Sequence, residues 1–90
     1  MNREKKLSTF TFTLVKEATI GNLHKFNLTE RELEVLKLLK QSKSNSEIAK
    51  ILFMSVHTAK AHVGNIFSKL NVHDRVGAVV KAIQEKIIEL

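Results

Sequence analysis

Thr29, Ser44, Ser55 and Asp74 partition most of this chain. Each carries a side-chain oxygen able to accept a hydrogen bond from the first turn of a helix. Each also stands before a run whose apolar residues recur at helical spacing. Starts placed this close together admit only short helices. Three glycines and the lack of proline, tryptophan and tyrosine point the same way, against a turn-rich barrel or sandwich.

The first run is LTEREL, Leu28 to Leu33. Thr29 caps, Glu32 three residues later completes a capping box, and Leu28 with Leu33 forms a hydrophobic staple. Leu33, Val35, Leu36 and Leu39 make the buried stripe of a helix ending near Gln41. The polar loop SKSN follows. A second helix starts at Ser44 or Asn45, with Glu47 placed for another capping box. It buries Ile48, Ala49, Ile51 and Leu52 and ends around Phe53. Met54 and Ser55 make a tight connection to a third helix, Val56 to Leu70. After the turn NVHD, Asp74 caps a fourth helix from Arg75 to about Lys86.

Residues 1–26 read differently. In STFTFTLVKE, Phe10, Phe12 and Leu14 alternate with threonines, the period of a short strand. Gly21-Asn22 reads as a turn. The expectation is an all-α, four-helix domain over 27–90, preceded by a strand-like extension or linker over 1–26.

Around the third helix, at 100° per residue, Val56, Ala59, Val63, Ile66, Phe67 and Leu70 share one sector, which must be core. The opposite sector holds His57, Ala61, Gly64 and Ser68, with Lys60 at its edge. Thr58, His62, Asn65 and Lys69 lie along a flank. That face has little bulk. A major groove about 12 Å wide admits such a helix. Lys60 suits guanine O6 or N7, Ala61 a thymine methyl, and Thr58, Asn65 and Lys69 suit phosphates beside the groove. A short helix, a tight turn and a longer helix is the helix-turn-helix arrangement. An ordinary helical bundle also has a solvated face, and periodicity alone leaves both readings open.

The net charge of +6 fits an anionic partner such as nucleic acid. No apolar run approaches the ~20 residues needed to cross a bilayer. The N-terminus MNREKKLSTF lacks a signal core, so the expected location is cytoplasmic. There is no cysteine. His57 and His62 lie over 100° apart on their helix, and His24 and His73 have no second histidine at ligand spacing, so no metal site is expected. No serine has a base and an orienting acid near it in sequence, so no catalytic residue and no cofactor are expected.

LTERELEVLKLL and SNSEIAKILFMSVHTAKAHVGNIFSKLNVHDRVGAVVKA together resemble the LuxR-type (FixJ/GerE-like) helix-turn-helix domain, over about Leu28 to Glu85. The resemblance rests on Leu28-Thr29 with Arg31-Glu32, on Glu47-Ile48-Ala49, and on Ser55-Val56 with Thr58, Lys60 and His62-Val63. Asn65-Ile66, Lys69-Leu70 and Arg75 complete it. It implies a homodimeric regulator of transcription that binds double-stranded DNA. Base readout is then expected from Lys60, Ala61, Gly64 and His57, and phosphate contact from Asn45, Ser46, Thr58, Asn65 and Lys69. Dimer contact falls to the fourth helix, at Gly77, Ala78, Lys81, Ala82 and Glu85. Gly64 lacks a side chain to read a base, which shifts selectivity toward DNA shape.

Such modules often follow a receiver or ligand-binding domain, for which the residues before the module are too few, so a stand-alone regulator or an excised output domain is expected. A polymerase subunit similar to sigma region 4 shares the L-T-x-R-E start. An interaction protein that pairs with a related regulator and silences it is a further alternative. RNA polymerase is an expected additional partner.

Overall fold

The computed structural model describes residues 21–90, and the strand expected over STFTFTLVKE lies outside them. Residues 21–26 are helical (α1), so Gly21-Asn22 is not a turn. Then come α2 (Glu30–Lys40), α3 (Asn45–Ile51), α4 (Val56–Leu70) and α5 (Arg75–Gln84). Among the described residues the fold is all-helical.

All four expected caps form. Thr29 Oγ1 accepts from the Glu32 N–H at 3.0 Å, and Glu32 Oε1 accepts from the Thr29 N–H at 2.9 Å. Ser44 and Glu47 repeat this exchange at 3.1 and 2.8 Å. Glu47 is exposed, and its carboxyl lies below the ordinary carboxylate range because the Ser44 backbone and side chain both hydrogen-bond to it. Ser55 Oγ accepts from the Thr58 N–H at 3.0 Å, and Asp74 Oδ1 from the Gly77 N–H at 2.7 Å.

Helix α4 is the centre of the core. It packs on α2, α3 and α5, and α2 also packs on α5. Leu36, Ile48, Ile66, Leu70 and Val35 are its largest fully buried side chains. Helix α1 adds Leu23 to this core and packs Phe26 against it. Helix α1 is further tied to the segment after α5: Asn22 Nδ2 donates to the Lys86 carbonyl at 2.8 Å, and Lys25 pairs with Glu85 at 3.0 Å.

Helix α5 carries apolar side chains on two sides, Val76, Val79, Val80 and Ile83 on one and Ala78 and Ala82 on the other, and the alanine side is the one that enters the core. Ala78 and Ala82 are fully buried, whereas Val76 and Val80 are 72% and 46% exposed. Two alanines one turn apart let α5 approach its neighbours closely, while Val79 and Ile83 pack at the margin. The helix also ends earlier than expected, with Glu85 as C-cap. Lys86 takes a left-handed conformation, φ 58°, that folds Ile87 and Ile88 back into the core. Val56 and Ile51, both expected inside, are 40% and 44% exposed.

The helices share one ending. Asn27, Ser42, Phe53, Asn71 and Lys86 have positive φ. Just beyond each, an N–H reaches back five residues, as from Met54 to the Ala49 carbonyl at 2.9 Å and from Val72 to the Phe67 carbonyl at 2.9 Å. Phe53 is the strained member: a bulky aromatic at φ 56°, with 95% of its surface exposed. Replacing Phe53 with glycine is expected to stabilise the domain by about 1 kcal/mol, because the left-handed penalty disappears and no packing is lost. Urea unfolding measures this directly.

Candidate nucleic-acid interface

The exposed face of α4 is set by what its other side must do. Ala59, Val63, Ile66 and Leu70 face the core. Geometry then puts His57, Lys60, Ala61, Gly64 and Ser68 outside, and all are exposed. Ser55 starts the helix and fixes the register of this face. No carboxylate among the described residues forms an ion pair with Lys60, so its charge is available to a partner.

A β-carbon built on Gly64 meets nothing within 4 Å. The fold therefore does not need a glycine there. Gly64→Ala is expected to stabilise the chain by about 1 kcal/mol, the ordinary helix-interior difference. Thermal unfolding of the two proteins decides it; a loss of stability would mean that the position is not free.

The flanking residues are also placed. Thr58 and Asn65 are exposed, and Thr58 Oγ1 accepts from Ser55 Oγ at 2.9 Å, keeping its own hydroxyl proton to donate. Ser46 is exposed at the start of α3. Asn45 is half-buried, and its Oδ1 accepts from Arg75 Nη2 at 2.6 Å.

Lys69 departs from expectation. Its Nζ lies 2.8 Å from Glu32 Oε1, with the Glu32 side chain only 3% exposed and that of Lys69 26%. The ammonium neutralises a buried carboxylate. In the sequence, Glu32 reads as the second half of a capping box. The lysine that completes its environment lies 37 residues away, and no local pattern links the two.

The five residues expected at a dimer contact are all used within the chain. A β-carbon on Gly77 would lie 3.0 Å from Asp74 Oδ1 and 3.4 Å from Val72 Cβ, so its smallness serves its own cap. Ala78 and Ala82 are core. Lys81 Nζ sits 5.8 Å from the Phe26 ring centroid, over the same ring that Lys25 approaches at 5.4 Å. Glu85 holds Lys25, which lowers its carboxyl below the ordinary range. What α5 leaves exposed is Val76 and Val80, beside an open groove of about 330 Å³ whose walls include Leu39, Lys40 and Val79.

Among the described residues no helix is long and apolar enough to cross a membrane.

The chain is similar to known regulatory proteins. The family described as bacterial regulatory proteins, luxR family (GerE), matches residues 26–82. The response regulator protein VraR of Staphylococcus aureus (strain NCTC 8325 / PS 47) is 48% identical over 62 residues, 69% of this chain and 30% of that protein. VraR of Staphylococcus epidermidis matches to the same extent, 48% over 62 residues. Among solved structures, the response regulator ChrA of a heme-sensing two-component system is similar, with a TM-score of 0.65 and 42% identity over 67% of this chain. The matched region spans about 30% of the length of these relatives.

Proposed function

The chain belongs to the luxR family of bacterial regulatory proteins, and on that footing we propose that it binds double-stranded DNA in a sequence-specific way and regulates transcription in the cytoplasm. The DNA-binding unit is 27–90, with α1 braced against it. Helix α4 enters the major groove. Lys60 donates to a guanine edge, Ala61 meets a thymine methyl, His57 reaches the groove from the first turn, and Gly64 lets the duplex come close. Thr58, Asn65, Asn45 and Ser46 hold phosphates to either side. The observation that carries this reading is the exposed, low-bulk face of α4, on which Lys60 has no ion-pair partner among the described residues.

A second copy joins through α5, now by way of Val76 and Val80 in place of the alanines. Two exposed valines on one helix, lining a largely apolar groove, are a surface of the kind a two-fold dimer covers. Val80→Lys is expected to leave the fold intact and to shift the protein to monomer in sedimentation. An unchanged dimer would place the contact elsewhere. RNA polymerase is the further partner this function would call on.

The experiment that tests DNA binding is selection of duplexes from a random pool, followed by footprinting. Two protected half-sites about one helical turn apart are expected. Failure to enrich any sequence, with the folded protein present, would reject the reading.

A further inference from the structure

Resting on the DNA-binding reading, we propose that Arg75 is a positioning residue for DNA recognition: it holds the side-chain oxygen of Asn45 and the carbonyl of Lys43, and so presents the Asn45 amide donors to a phosphate.

Arg75 is the first residue of α5 and is half-buried. The helix dipole disfavours a cation at that end, so local electrostatics do not account for an arginine there. Its two hydrogen bonds go to neutral oxygens and not to a carboxylate. Nη1 donates to the Lys43 carbonyl and Nη2 to Asn45 Oδ1 at 2.6 Å. Those two oxygens lie on either side of Ser44, the N-cap of α3. The planar fork of one guanidinium therefore bridges the start of α5 to the start of α3, across 30 residues of sequence.

Helix α3 has seven residues, too few to be stable by itself, and it packs mainly on α4. The fork settles its first turn. It also settles the chemistry that Asn45 can offer. A guanidinium only donates, and a carboxamide has one accepting atom, so Oδ1 must face Arg75. The two Nδ2 protons then remain for another acceptor. A freely turning amide would present its oxygen to a phosphate as readily as its nitrogen. Holding it in one orientation removes that repulsive state and the entropy of ordering it on binding. Arg75 performs this without touching the duplex.

The test is a double-variant cycle with Arg75→Gln, Asn45→Ala and both together, measured on a selected duplex. Each single change is expected to raise Kd about tenfold, the size of one charge-assisted hydrogen bond. The double variant is expected to be no weaker than the worse single one, since both remove the same contact. Amide hydrogen exchange on the free protein is a second readout: Glu47 and Ile48 should exchange faster in Arg75→Gln, while α2 and the middle of α4 stay protected. If Arg75→Gln does not fold, Arg75→Lys serves, because it keeps the charge but can hold only one of the two oxygens. Unchanged affinity in the folded variant, or losses that multiply in the double variant, overturns the proposal. A native chain that binds no duplex removes the DNA-binding reading itself, a different result from a native chain that binds and a variant that binds equally well.

Discussion

Lys69→Ala is expected to cost this domain about 3 kcal/mol or more, the loss that follows when one partner of a buried ion pair is removed and the other stays behind. Glu32 is 3% exposed. Its Oε1 takes the Lys69 ammonium at 2.8 Å and the Thr29 N–H at 2.9 Å. Without the lysine, a carboxylate sits against the core with one backbone N–H for compensation. An exposed pair would behave otherwise, since pairs such as Arg31–Glu34 are worth only about 0–1 kcal/mol. Urea unfolding at neutral pH gives the number. Two controls make the cause specific. Glu32→Gln combined with Lys69→Met removes both charges and should recover most of the stability. Salt should change the loss little, because a buried pair is poorly screened. A loss below about 1 kcal/mol would show that water reaches the pair freely. The same geometry predicts that Lys69 does not contribute to the salt dependence of DNA binding.

Lys60→Ala is expected to weaken binding to a selected duplex by about tenfold to a hundredfold, since a lysine on a guanine edge carries roughly 1–3 kcal/mol of discrimination. The fold should not change. Lys60 is exposed on α4 and has no ion-pair partner among the described residues. Binding to an unselected duplex should fall less, by about the share of one phosphate-neutralising charge. The difference between the two losses is the informative quantity. Equal losses would reassign Lys60 to the phosphate backbone and leave base readout to the small residues and to DNA shape. The two substitutions together are expected to separate stability from recognition, with the loss at Lys69 read in unfolding and the loss at Lys60 read in binding.

Much of the helical layout was legible because caps are local. Thr29 with Glu32, Ser44 with Glu47, and Asp74 with Gly77 are contacts three residues apart, and type and spacing suffice to read them. The lean face of α4 was legible for the same reason, since its core residues recur at helical spacing. Helix α5 defeated the pattern. It carries apolar side chains on two sides, valines on one and alanines on the other, and greater hydrophobicity favoured the valines. What decides is how closely the helix can approach α2 and α4, and alanine wins that contest. Lys69 and Arg75 were illegible in another way. Their partners lie 37 and 30 residues away, and only the packed fold brings them together. Leu23, in the core, was hidden because it directly follows Gly21-Asn22, a pair that reads as a turn.

Backbone amide shifts of the isotope-labelled protein, followed while a selected duplex is added, test the central claim most directly. His57, Lys60, Ala61 and Gly64 are expected to shift most, with Asn45 and Ser46 following and Ala78 and Ala82 staying in place. Largest shifts on α2 or α5, with the outer side of α4 unmoved, would contradict it.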